Sequence, residues 1–268
     1  MLMAERQPLK SSGIFYDSAN LVDFKKWFAA RILGGATTNP LILQKEGVLN
    51  IPEHLSKMVK ISGPGFPISI EIPDSEMPRE AMIDLALKYR DRFPENAVIK
   101  VPMDPREPEK AFEVIYRLGQ EGVRVNATLG LSMGQLVGAA EALRLSTAEG
   151  DNYISLFWAR REEAKNQLVK ELVKGGMKKK EALEKVPDAA ASLIMTLKYL
   201  ETHNLSTRVI VGSIRSIDQI EKAFFLGADI VTIPPKLLDE WMFTQRGVET
   251  VDEFNKTYRD VKDKIKLI

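Results

Sequence analysis

The chain has 268 residues, 44% hydrophobic and 28% charged, enough to bury a sizeable core and close to the ~250 residues typical of a (β/α)8 barrel. Its 38 lysines and arginines against 37 aspartates and glutamates leave a formal charge of +1, so no long-range field favours nucleic acid or an acidic membrane, and any anion site has to be local. The absence of cysteine excludes disulfides, thiolate metal sites and cysteine nucleophiles and suits a cytoplasmic protein. Residues 1–8 hold no apolar signal core and no apolar run approaches the ~18 residues of a membrane span, which strengthens the cytoplasmic expectation and argues against a membrane partner.

In chain order, short β-branched runs alternate with amphipathic stretches. The predicted order is strand 13–18, helix 21–31, strand 35–38, helix 54–62, strand 67–72, helix 78–92, strand 97–102 and helix 107–121. It continues with strand 124–129, helix 132–145, strand 152–158, helix 190–202, strand 207–214, helix 217–226 and strand 229–233. Glycines in Glu121-Gly122-Val123 and Leu226-Gly227-Ala228 read as helix stops followed at once by the next strand. Strict alternation implies parallel β/α units, and eight of them favour a closed barrel over a doubly wound sheet. The predicted fold is α/β, a single (β/α)8 barrel domain over residues 1–268.

One segment breaks the rhythm. Residues 160–190 are dense in charge, with Gly175-Gly176 between two helical stretches, and are too long for an ordinary strand-to-helix loop. They are predicted to form a helical insertion on the active-site face, as a solvated hairpin, a lid or a subunit contact. The tail, 249–268, reads as an amphipathic helix that closes the barrel bottom or reaches a neighbouring subunit.

Lys100 stands near the end of Ala97-Val98-Ile99-Lys100-Val101-Pro102. Burying an ammonium is costly unless it is paired or neutralised, so a lysine there marks either an ion pair or an amine tuned for nucleophilic work. Asp17, Asn39, Glu71, Asn126, Thr128, Ser155 and Ser213 also lie within or just beyond predicted strands, and polar groups at strand ends imply a shared mouth. Glu71, in Ile70-Glu71-Ile72, adds a carboxylate inside an apolar strand.

The constellation resembles the transaldolase family over nearly all of the chain. The resemblance is carried by Asp17-Ser18-Ala19-Asn20, Gly35-Ala36-Thr37-Thr38-Asn39-Pro40, Ile99-Lys100-Val101-Pro102, the run from Glu121 to Leu129, Tyr153-Ile154-Ser155-Leu156-Phe157 with Arg160, and Ser213-Ile214-Arg215. It implies cofactor-free Schiff-base aldol chemistry in a (β/α)8 barrel, with Lys100 as nucleophile, Asp17 as general base, and Glu71 with Thr128 positioning a water. Asn39, Asn126 and Ser155 would hydrogen-bond the hydroxyls of the dihydroxyacetone unit, Phe157 would also bind substrate, and Arg160, Ser213 and Arg215 would grip the terminal anion of a sugar phosphate, arginine being suited to bidentate contacts. The implied reaction is transfer of dihydroxyacetone from fructose 6-phosphate or sedoheptulose 7-phosphate to an aldose phosphate, as in the pentose phosphate pathway, by a homo-oligomeric enzyme. The alternatives are a fructose 6-phosphate aldolase, a transaldolase acting on another anionic sugar such as a sulfonated ketose, and a catalytically silent sugar-phosphate-binding barrel.

Plainer readings stand beside these. Asp17 reads equally as the N-cap of helix 21–31, Asn39 before Pro40 as a turn, and Thr37 and Thr38 as ordinary strand residues. Asn126 and Thr128 fit a solvated strand end, Arg160 the charged excursion, and Arg215 the opening of the next helix. With only two histidines and no shared ligand spacing, no metal site is expected, and no phosphate-binding glycine motif indicates a nucleotide. Two stretches depart from the family pattern, Leu156-Phe157-Trp158-Ala159-Arg160-Arg161-Glu162-Glu163 and Gly212-Ser213-Ile214-Arg215-Ser216. Both flank the expected anion pocket, where a bulky Trp158 is predicted to alter substrate preference.

Overall fold

The structure, a computed structural model, describes residues 12–265. Residues 1–8 and the end of the tail, read above from sequence, lie outside the described residues. Eight parallel strands close into a barrel in sequence order: β1 (Ile14–Asp17), β2 (Gly35–Thr37), β3 (Ile68–Glu71), β4 (Ala97–Pro102), β5 (Val125–Gly130), β6 (Tyr153–Phe157), β7 (Arg208–Gly212) and β8 (Ile230–Ile233). β1 completes the ring by pairing with both β2 and β8. Each strand falls inside or within one residue of its predicted span.

The helices in the first half are α1 (Leu21–Ala29), α2 (Pro40–Lys45), α3 (Ile51–Ser62), α4 (Arg79–Arg92), α5 (Pro108–Gln120) and α6 (Met133–Ala142). Those in the second half are α7 (Trp158–Lys174), α8 (Lys179–Lys185), α9 (Ala189–Thr202), α10 (Ile217–Phe225), α11 (Pro235–Met242) and α12 (Gln245–Val261). Two of them, α2 and α11, were not predicted. Both are short and open on proline at the first helical position, where its missing N–H costs nothing. Asn39-Pro40 therefore starts a helix where a turn was one reading, with Asn39 Oδ1 accepting from Ile42 N at 2.8 Å.

Side chains alternate across a strand, and in a barrel this sends every second residue inward. The inward set at the lower level is apolar: Phe15, Val98, Tyr153, Ile210 and Ile230 form one cluster, with the Phe15 and Tyr153 rings edge to face at 5.9 Å. Below it Arg208, buried at the start of β7, reaches Asp151 at 3.4 Å and Asp229 at 3.5 Å. The larger core lies outside the barrel, between strands and helices.

The tail does not close the barrel bottom. No residue of α12 is buried, and Val248, Val251, Phe254 and Tyr258 are exposed along it. The charged excursion is helical: α7 leaves β6 without a loop, and Val169, Ala182 and Val186 form a small core between α7 and α8. Its base is tied to the start of α9, where buried Arg161 donates to Ser192 Oγ at 3.2 Å and to Pro187 O at 2.5 Å, and Glu162 accepts from Ala189 N at 2.8 Å.

At the end of β5 the pairing with β6 slips between Ala127 and Gly130, and Leu129 takes a left-handed backbone with φ 66°. The slip marks a bulge, at which Leu129 is 36% exposed in an otherwise buried strand. Gly130 makes room for it, since a Cβ there would meet Leu136 Cδ2 at 2.4 Å and Ser155 O at 2.5 Å. Gly130→Ala is expected to destabilise the protein by about 1–3 kcal/mol through overpacking against backbone, measured as a lower urea midpoint at unchanged slope.

Candidate active site

The same alternation that builds the apolar floor puts polar residues one level up. Two positions beyond Phe15, Val98 and Tyr153 come Asp17, Lys100 and Ser155, and Thr232 follows Ile230 in the same way. Register then sets the neighbours: Glu71 pairs with Lys100, Lys100 with Asn126, and Asp17 with Thr37.

Lys100 is 4% exposed. Its Nζ lies 2.7 Å from Glu71 Oε2 and donates to Thr38 O at 3.0 Å. The contact with Glu71 is a close ion pair without hydrogen-bond alignment, because Glu71 Oε2 has no hydrogen-bond partner. Thr128 Oγ1, fully buried on the next strand, has none either. These are two of three such buried side-chain atoms among the described residues, and both belong to residues singled out from the sequence.

Asp17 is not the cap of α1. Asn20 does that, accepting from Val22 N and Asp23 N at 3.0 Å, which leaves the Asp17 carboxylate for the barrel mouth. Thr37 Oγ1 lies 2.6 Å from Asp17 Oδ1 and 2.5 Å from Thr232 Oγ1. Removal from water pushes the Asp17 carboxyl above its usual range, Thr37 and the Lys100 ammonium oppose the shift, and Glu71 adds to it. Asn126 is held on both sides, donating to Ser69 Oγ at 3.1 Å and accepting from Ser155 Oγ at 2.7 Å. Ser69, Thr37 and Thr232 were missed as site residues. Each shares the inward parity of Asp17 and Glu71, which was the available signal.

The upper part is more open. A cavity of about 860 Å³ is lined by Asn39, Glu71, Leu129, Phe157 and Arg160, among others. Trp158 is not in it. Because β6 ends at Phe157, the next side chain turns into the core, where Trp158 is 3% exposed. Ser213 has a left-handed backbone, φ 57°, and its carbonyl accepts from Ala159 N at 3.2 Å, tying β7 to the first turn of α7. Arg160 and Arg215 do not form a desolvated clamp. Their side chains are 60% and 51% exposed, and both bond Glu163, Arg160 at 3.1 Å.

The model of the transaldolase/fructose-6-phosphate aldolase family matches residues 14–266. The chain belongs to this family. It is 28% identical over 256 residues to the "Probable transaldolase" of Nitrosopumilus maritimus (strain SCM1), covering 93% of this chain and 96% of the relative. It is 30% identical over 256 residues to that of Pelotomaculum thermopropionicum (strain DSM 13744 / JCM 10971 / SI), covering 94% and 99%. Among solved structures, a "putative phosphonomutase" from Burkholderia cenocepacia J2315 superposes with TM-score 0.50 at 11% identity over 92% of each chain, a likeness of fold alone. Membership in the transaldolase family makes the protein an enzyme of the transaldolase or aldolase type. Among the described residues no helix is long and apolar enough to cross a membrane.

Burial raises the Asp17 pKa, so the folded state disfavours the charged form. Between the unfolded and the folded pKa the native state binds more protons, and this group's contribution to stability falls as pH rises through that window. Asp17→Asn should therefore stabilise the protein at neutral pH, with the gain shrinking on acidification. Thermal unfolding of both proteins across pH 4–8 measures it, and a destabilised Asn variant would show the carboxylate to be structurally required.

Proposed function

We propose that the protein is a transaldolase working through a Schiff base on Lys100. The supporting observation is a nearly inaccessible lysine at the level of the polar mouth, 2.7 Å from the Glu71 carboxylate. The neutral Lys100 amine adds to the C2 carbonyl of a ketose phosphate. Glu71 and Thr128, positioning a water as the family resemblance implies, carry the protons that turn the carbinolamine hydroxyl into departing water and leave an iminium. Asp17 takes the proton of the C4 hydroxyl, and its raised pKa makes it a better base than an ordinary aspartate. The C3–C4 electrons pass into the iminium, giving an enamine on Lys100 and a free aldose phosphate. The enamine then attacks the aldehyde carbon of the acceptor, Asp17 returns its proton to the new alkoxide, and water releases the product from Lys100. Asn126, set by Ser69 and Ser155, and Asn39 hold the hydroxyls of the three-carbon unit.

The substrates proposed are fructose 6-phosphate or sedoheptulose 7-phosphate as donor and an aldose phosphate as acceptor, with Arg160, Ser213 and Arg215 at the anion end, in cytoplasmic carbohydrate metabolism. Borohydride reduction with fructose 6-phosphate should add the mass of the reduced adduct to the peptide containing Lys100 and to no other. Lys100→Ala should abolish both trapping and turnover. An adduct on another lysine sinks the proposal, and accumulation of dihydroxyacetone in place of a transferred product assigns the aldolase reaction instead.

We also infer a homo-oligomer. On α12, Val251, Phe254, Tyr258 and Val261 recur at the three-and-four spacing of a helix-pairing seam, and the first three are exposed. Truncation after Phe243 should leave the barrel folded and lower the mass seen in sedimentation. An unchanged mass would remove α12 from the interface.

A further inference from the structure

Arg160 and Glu163 are three residues apart on α7 and so share one helix face, whereas Arg215 comes from the segment between β7 and α10. Glu163 joins them: its Oε2 accepts from Arg160 Nη1 at 3.1 Å and its Oε1 accepts from Arg215 Nη1. A carboxylate divided between two guanidiniums from separate elements occupies the position that a substrate anion would need. Hydrogen bonding from Arg215 holds the Glu163 carboxyl below its usual range, so it is charged at working pH. We propose that Glu163 is the resident counter-anion of this end of the site, a charge filter that an incoming terminal group has to displace. The proposal rests on the reading of Arg160 and Arg215 as the anion end.

The selectivity follows from exchange. With Glu163 in place the three side chains sum to +1, and a singly charged carboxylate ligand would only remake the contacts it broke. A phosphate monoester dianion brings twice the charge and three acceptor oxygens, which can use guanidinium N–H groups that Glu163 leaves unused. A neutral terminus leaves Glu163 where it is. Displacement is feasible because all three side chains are about half exposed, and exposed ion pairs are weak. The site therefore favours dianionic sugars without a buried clamp.

The test uses methyl phosphate and acetate as stand-ins for the two kinds of terminus, with binding to the full chain read by calorimetry above pH 7.5. Wild type should bind methyl phosphate and not acetate. Glu163→Gln, which keeps the shape and removes the charge, should tighten methyl phosphate about three- to tenfold and make acetate binding measurable. Arg215→Ala should weaken methyl phosphate in either background. In kinetics, Glu163→Gln should lower KM for fructose 6-phosphate and leave kcat/KM for unphosphorylated fructose unchanged. If Glu163→Gln weakens methyl phosphate as Arg215→Ala does, Glu163 positions the arginines and is not a competing anion, and the proposal is overturned. Equal changes for fructose and its phosphate overturn it as well. If no variant binds methyl phosphate while Lys100 still traps a ketose, the filter falls and the Schiff-base reading stands. Methyl phosphate binding as predicted without trapping gives the reverse.

Discussion

An ammonium in the interior of a parallel barrel is the constraint around which the upper half of this protein is arranged. Lys100 has given up nearly all of its hydration, and an uncompensated buried charge costs several kcal/mol. Glu71 on the neighbouring strand supplies the opposite charge, Thr38 O supplies an acceptor, and Asp17 faces the pair across the mouth. None of these partners is free to move, because each is on or at the end of a strand whose register is set by its two neighbours. The pair is held at 2.7 Å with almost no access to solvent.

The barrel has two interiors. The lower level is filled by large apolar side chains and plugged by Arg208 between two aspartates, so water is excluded from below. The upper level is polar and each group is braced: Asp17 by Thr37, and Asn126 by Ser69 and Ser155. Among the described residues of the mouth, Glu71 and Thr128 keep buried oxygens without a hydrogen-bond partner, and these are the two that the proposed mechanism asks to move protons. Rigidity is provided by the strands, reactivity by what they leave unsatisfied.

The rim is built differently. α7 begins directly at the end of β6, so Phe157 and Arg160 line the cavity while Trp158 between them is buried in the core. A sequence comparison aligned on these residues invites the inference that Trp158 reshapes the pocket. Extended and helical geometry point successive side chains in different directions, and the strand-to-helix change at Phe157 turns Trp158 away. The same change brings Glu163 round to Arg160, a carboxylate whose meaning is invisible until Arg215 arrives from another part of the chain.

All eight strands and the alternation that closes them were legible in the sequence, because period-two burial and β-branched runs are local signals that packing rarely reverses. Lys100 and Glu71 were legible for the same reason, since a charge inside an apolar run is conspicuous wherever it occurs. The two short helices α2 and α11 were not, because they are too short to show a helical period and begin with residues that equally begin turns. The sequence alone determined which residues share the inward face, a property of each strand by itself. Only the tertiary structure decided which of them meet, that Asn20 and not Asp17 caps α1, that α12 buries nothing, and that the two arginines share Glu163. Those outcomes depend on register and on the relative placement of distant segments, and neither is encoded in any single stretch of chain.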